Sequence, residues 1–282
     1  MMKSLVIFLL FLPAVFAQLP GFGALKDKLD DSKRKTAPVT DRAQRAVDTF
    51  TPWTPDEEQE VGRAAAEKLV AVFGMVQDAA LEKYVNLTGG AVAQFASREL
   101  PWRFGILNTN IVGAFALPGG YVFITRGSLS GMTNEAQLAG ALGHEIEHAS
   151  ARHLEEEIRS RKTSAWATEE AMARTRKGPA ELKSRAIALV KDLLSTALSR
   201  SKENDADDQG SRMAAKAGYA QNGLLEFLRV AAAANASPEN RRLFGQILAT
   251  HPPFEERIAR LGKPGSTRGK TLEARFRSTM GR

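Results

Sequence analysis

His144-Glu145-Ile146-Glu147-His148 sets two imidazoles four residues apart, with a carboxylate beside the first. On a helix that spacing stacks both rings on one face, about one turn apart, where they can converge on a single metal ion. Zinc takes neutral histidine nitrogens at about 2.0 to 2.1 Å, and a hydrolytic site keeps one coordination position for water. Glu145 can reach such a water, taking its proton during attack on a carbonyl and passing it to the leaving amine. With four histidines in 282 residues, chance is a poor explanation of the pattern. The bland alternative is a surface helix with satisfied histidines. Against it, the lead Leu138-Ala139-Gly140-Ala141-Leu142-Gly143 looks buried, and polar groups on a buried helix need partners.

Two histidines leave a metal under-coordinated, and with only His153 and His251 remaining a carboxylate is the natural third ligand. Glu203 and Asp207 lie four apart in Glu203-Asn204-Asp205-Ala206-Asp207, so a helix aims both at one place. Glu203 is the candidate ligand. Asp207 is the candidate acceptor for a ligand ring, His144, whose tautomer it would fix. Taken alone, the acidic run reads equally well as a capped helix start, and the histidines tip the balance. His251, before Pro252-Pro253, has three readings: a fourth ligand that latches the site, an oxyanion stabiliser, or a plain loop histidine. Arg257 is a candidate support for the transition state, although an arginine on such a helix more often pairs with a carboxylate. His153, five past His148, falls off the metal face by helical periodicity and reads as structural.

The elements that must position these groups follow from spacing. Thr54-Pro55-Asp56-Glu57 resembles a helix start, with Val61, Ala65, Leu69, Val72 and Val76 recurring at helical intervals. A second helix is expected from Ala79 into Ala96, softened at Gly89-Gly90. Between Trp102 and Thr125 the period shortens, and Pro118-Gly119-Gly120 marks a tight turn, which predicts antiparallel strands. Helices are then expected over 133–150, most of 154–200, 202–217, 222–235 and 239–249. Residues 263–282 read as a basic tail without fixed structure. From 257 to 282 there are eight Lys or Arg against Glu273 alone, so a solvated tail is the first reading and weak contact with an anionic envelope surface the second.

Composition bounds the rest. The absence of cysteine excludes a disulfide framework, a thiol nucleophile and a thiolate metal site. A net charge of +7 is modest for the length, and no nucleic-acid-binding module is visible, so no nucleic acid partner is expected. Residues 1–17 have the outline of a signal peptide: Lys3, an apolar run from Leu5 to Phe16, then Ala17. The run falls short of the roughly 20 residues a membrane-crossing helix needs, so no transmembrane helix is expected after cleavage. Residues 18–53 read as a flexible lead.

With these residues in view the chain resembles the M48 family of zinc metallopeptidases, the group related to the CAAX prenyl protease and to bacterial periplasmic quality-control proteases. The resemblance adds to the histidine motif Leu81-Glu82-Lys83-Tyr84-Val85 and Ala114-Phe115-Ala116-Leu117-Pro118-Gly119-Gly120 with Thr125-Arg126-Gly127. It continues through Glu203-x-x-x-Asp207, Ala217-Gly218-Tyr219 and Thr250-His251-Pro252-Pro253-Phe254-Glu255-Glu256-Arg257, and so spans about 54–262. It implies an α+β, predominantly helical zincin-type metalloprotease domain with a small antiparallel sheet. It further implies one zinc ion per chain on His144, His148 and Glu203, catalysis by Glu145, and support or proton donation by Asp207. Gly113, Ala114, Phe115 and Ala116 would form a strand that pairs with extended substrate.

Two departures stand out. Glu147 puts a charge where the family commonly has a small or apolar residue, harmless if it faces solvent or caps Arg152. No helical-repeat extension of the kind some periplasmic relatives carry is visible. The expected protein is an exported, periplasmic or otherwise extracytoplasmic bacterial zinc endopeptidase acting on unfolded or misassembled envelope proteins. The alternative is a zinc-binding, chaperone-like assembly factor, latched and rarely proteolytic.

Overall fold

A computed structural model of the chain describes residues 52–160, 198–236, 254–262 and 268–281. The expected signal peptide, the lead up to Thr51, the helices expected within 161–197 and 239–249, and His251 lie outside the described residues.

Helix α1 (Pro55–Phe73) starts where its sequence signals a start. Thr54 and Glu57 form a reciprocal capping box, Pro55 occupies the first turn, and three acids face the positive helix end. Its inward stripe is Gly62, Ala65, Ala66 and Leu69, whereas Val72, expected to share that stripe, is exposed. Helix α2 (Ala79–Ala93) is capped by Asp78, whose carboxylate accepts from Ala80 and Leu81. It runs unbroken through Gly89-Gly90. A Cβ on Gly89 would sit 2.5 Å from the Phe104 ring, so the glycine admits an aromatic side chain and marks a close packing contact, where a softening of the helix was expected.

Strands β1 (Arg103–Leu107), β2 (Ala114–Leu117) and β3 (Tyr121–Thr125) form one sheet in the order β1-β3-β2. The β2-β3 pair is the expected antiparallel hairpin, turning through Pro118–Gly120 with Gly119 and Gly120 at positive φ. The β1-β3 pair, expected to be antiparallel as well, is parallel, so the sheet is mixed. The chain from β1 to β2 passes beyond the place of β3, and the hairpin returns its second strand between them. A turn signal fixes the direction change at a hairpin but not the side on which the hairpin closes.

Alternation along the strands divides the core. Phe104, Ile106, Ala114, Val122 and Ile124 join the larger cluster with Leu138, Leu142 and Ile146 of α4. Leu107, Leu117 and Phe123 face Ala65 and Leu69 of α1. Short α3 (Arg126–Gly131) leads into α4 (Glu135–Ser150), every residue of which is buried. Then come α5 (Arg200–Lys216), α6 (Gly223–Asn235), α7 (Phe254–Leu261) and α8 (Glu273–Thr279). Helices α5 and α6 make the most extensive packing against α4.

The basic tail departs most from expectation. Lys270 bridges Tyr219, the Thr271 carbonyl accepts from the backbone of Glu135 and Ala136, and Phe276 of α8 is fully buried against Tyr84. Its basic residues mask two apolar anchors, Leu272 and Phe276, that join the larger core. Among the described residues no helix is long and apolar enough to cross a membrane.

Candidate metal centre

The candidate metal-ligating residues lie where α4 and α5 cross. A Cβ on Gly143 would meet the Gly210 carbonyl oxygen at 2.6 Å, and one on Gly210 would meet the His144 nitrogen at 2.6 Å. Paired glycines therefore let the two backbones touch, and the carboxylates on α5 reach the rings on α4. Neither glycine has a sequence signal that distinguishes it from an ordinary weak point in a helix.

At this crossing His144, His148 and Glu203 converge, all buried. The Nε2 atoms of His144 and His148 are 3.0 Å apart. Glu203 Oε2 lies 3.6 Å from His144 Nε2, and Oε1 lies 3.4 Å from His148 Nε2. An ion bonded at about 2.0 to 2.1 Å to tetrahedrally placed atoms holds them about 3.3 Å apart. Two imidazole nitrogens and a carboxylate at such separations fit zinc in both donor chemistry and spacing.

Asp207 Oδ1 stands 3.1 Å from His144 Nδ1, the ring atom turned away from the convergence point. Arg257 closes the other side. Its Nη2 donates to Asp207 Oδ1 at 2.6 Å, and its Nη1 lies 3.4 Å from Glu203 Oε2. Arg260 adds a contact to Asp207 Oδ2 at 3.0 Å. Burial by itself would raise the Asp207 carboxyl, but the hydrogen bond and charge of His144 and the Arg257 guanidinium outweigh it and hold the group well below the usual carboxylate range. Arg257 is thus brought into the site as the partner of two carboxylates.

Glu145 is buried beside the convergence point and, with His144, borders a pocket that opens to solvent. Leu224, Phe227 and Leu228 of α6, Phe115 of β2, and Phe254 and Arg257 of α7 line it. Phe115 also packs on the α1 side of the sheet.

Strand β2 is an edge of the sheet among the described residues. Gly113 does not offer a free edge. Its N–H donates to Ser128 Oγ at 2.7 Å, and its carbonyl accepts from Ser128 Oγ and from the Thr125 N–H and hydroxyl. Backbone groups alternate sides along an antiparallel strand. With Gly113 bonded toward Thr125, Ala114 and Ala116 turn theirs to the open edge. The strand suited to an incoming peptide therefore begins at Ala114, one residue later than expected.

Two expectations about neighbouring residues change. Glu147 neither faces solvent nor caps Arg152. It is buried, and desolvation followed by the Asp205 charge pushes its carboxyl up to about 7. Arg152 instead binds Glu58, Glu155 and the Trp53 carbonyl. His153 does not fall away from the site, because α4 ends at Ser150 and Arg152 takes a left-handed conformation with φ 55°. That turn swings His153 Nδ1 to 3.0 Å from His148 Nδ1. Helical periodicity failed here because the helix stops before reaching the residue.

The sequence profile described as peptidase family M48 matches residues 78–264, more than half of the chain. The chain belongs to peptidase family M48. It is 27% identical over 216 residues to the beta-barrel assembly-enhancing protease of Escherichia coli, covering 72% of this chain and 42% of that protein. A putative beta-barrel assembly-enhancing protease of Vibrio cholerae is 28% identical over 217 residues, covering 73% and 43%. The mitochondrial metalloendopeptidase OMA1 of Arabidopsis thaliana is 39% identical over 59 residues, covering 21% and 12%. The chain spans less than half the length of these relatives.

Proposed function

We propose that this chain is a zinc-dependent endopeptidase that hydrolyses peptide bonds of unfolded or misassembled proteins of a bacterial envelope, and that it works after export to the periplasm. The convergence of His144, His148 and Glu203 beside Glu145, at the end of an open strand edge, carries this reading. The names of the beta-barrel assembly-enhancing relatives favour the envelope as its setting.

A zinc ion held by the three ligands supplies Lewis-acid polarisation of the scissile carbonyl and makes water easier to deprotonate. The protein supplies the remaining functions. Ala114 and Ala116 hydrogen-bond an extended peptide through backbone groups, which selects for unfolded chain more than for sequence. The pocket beside Glu145 takes an apolar side chain flanking the scissile bond and displaces water from it. Glu145 accepts the proton of the attacking water and returns it to the leaving amine. Asp207 holds His144 by its Nδ1–H, and Arg257 keeps Asp207 ionised within hydrogen-bond reach of that ring.

The test is cleavage of unfolded casein by purified protein with and without a chelator, alongside Glu145→Gln. The wild type should lose activity to the chelator and recover it with zinc. The variant should bind zinc stoichiometrically yet cleave at least about 100-fold more slowly. A variant as active as the wild type would remove Glu145 from the chemistry and overturn the mechanism.

A further inference from the structure

His148 has two ring nitrogens with different neighbours. Its Nε2 faces His144 Nε2 at 3.0 Å and Glu203 Oε1 at 3.4 Å, while its Nδ1 faces His153 Nδ1 at 3.0 Å. The two Nε2 atoms face each other across the position proposed for the ion, whereas the two Nδ1 atoms face each other away from it. A pair of imidazole nitrogens at 3.0 Å with no ion to share requires that one carry the proton and the other a lone pair. A ring that offers its Nε2 lone pair to a metal carries its proton on Nδ1. His148 is then the donor and His153 the acceptor. The proton of His153 is left on its own Nε2, and that atom lies 3.5 Å from Asp205 Oδ2, the side on which an Nε2–H finds a carboxylate.

We infer that His153 is a positioning residue of the metal centre, accepting the His148 Nδ1–H so that His148 is held with Nε2 free for the ion. The inference rests on the metal site proposed above. It gives each ligand ring its own anchor: Asp207 for His144 and His153 for His148. The anchors differ in kind, one an ionised carboxylate gripped by two arginines and the other a buried imidazole backed by a half-exposed aspartate. The left-handed turn at Arg152 is the device that brings His153 into place. That conformation is unfavourable for an L-residue, and Arg152 is held there by Glu58 at 3.1 Å, Glu155 at 3.3 Å and the Trp53 carbonyl at 3.1 Å.

The experiment uses the full chain with His153→Asn, which places an acceptor oxygen near the position of Nδ1, and His153→Leu, which fills the space without one. Zinc affinity is measured by competition with a chelating indicator, the ligand field by the visible spectrum of the cobalt-substituted protein, and folding by the melting temperature of the metal-free protein. His153→Leu should bind zinc about 10- to 100-fold more weakly with an altered cobalt spectrum. His153→Asn should stay within about 3-fold of wild type, with metal-free melting temperatures alike for both variants. The inference fails if His153→Leu binds zinc as tightly as wild type, or if Asn and Leu weaken it equally, which would mean that His153 acts by packing. Wild type that binds zinc and cleaves casein separates either result from failure of the protease reading. Wild type that binds no zinc overturns both.

Discussion

Arg275 forms an ion pair with Glu135, joining helix α8 to the first residue of the helix that carries both candidate metal-ligating histidines. Glu135 is fully buried and also accepts the Tyr84 and Tyr219 hydroxyls, each at 2.7 Å. One carboxylate thus gathers α2, the chain after α5, and α8 at the start of α4. The Thr271 carbonyl binds two N–H groups there that the helix itself cannot satisfy.

Removing the arginine should therefore destabilise the fold without touching the metal ligands. Arg275→Ala should cost about 1 to 2 kcal/mol in urea denaturation. That is less than the roughly 3 to 5 kcal/mol of a wholly buried pair, because 55% of the Arg275 side chain is exposed and Glu135 keeps its two tyrosines. Zinc affinity of the folded variant should be unchanged. An unaltered denaturation midpoint would show that the Arg275–Glu135 ion pair contributes nothing to stability.

The same cluster sets a pH dependence on the alkaline side. Burial, then the hydrogen bond to Glu135, raises the hydroxyls of both Tyr84 and Tyr219 far above their ordinary value. An unfolded tyrosine ionises near pH 10, so the folded chain keeps protons that the unfolded chain releases. The stabilisation is complete below about pH 10 and is lost as pH rises beyond it. Urea midpoints should fall above that pH, and Tyr84→Phe with Tyr219→Phe should flatten the fall. An equal slope in the double variant would assign it to other groups.

The Gly143 and Gly210 contact should tolerate no side chain. Gly210→Ala places a methyl 2.6 Å from the His144 nitrogen and 2.7 Å from Gly143 backbone, so α4 and α5 must separate. Overpacking of this kind costs about 1 to 3 kcal/mol. Because the separation also parts Glu203 from the histidines, zinc affinity should fall at least about 10-fold, read by chelator competition. Loss of stability with full affinity would show that the ligands reposition independently of the helix crossing.

The pocket beside Glu145 should set a side-chain preference. Products of unfolded substrate, mapped by mass spectrometry, should show large apolar residues at one position flanking the cut. Ala231→Phe, narrowing the pocket from α6, should shift that preference to smaller residues. It should lower kcat/KM for a large apolar side chain about 10-fold or more. Cleavage indifferent to both changes would place the substrate side chain elsewhere.

The sequence alone carried the groups whose geometry is local. Four-residue spacing placed His144 over His148 and aligned Glu203 with Asp207, because a helix fixes the relation of residues one turn apart whatever surrounds it. It also marked the helix start at Thr54 and the Pro118–Gly120 turn, where local residues act on their own backbone. The tertiary structure decided whatever depended on elements distant in sequence: the parallel β1-β3 pairing, the crossing at Gly143 and Gly210, and the burial of Glu147. It decided two more against the local pattern. His153 reached His148 because the helix stopped at Ser150, and a basic tail joined the core because Leu272 and Phe276 found an apolar surface that the tail's own charge gave no sign of.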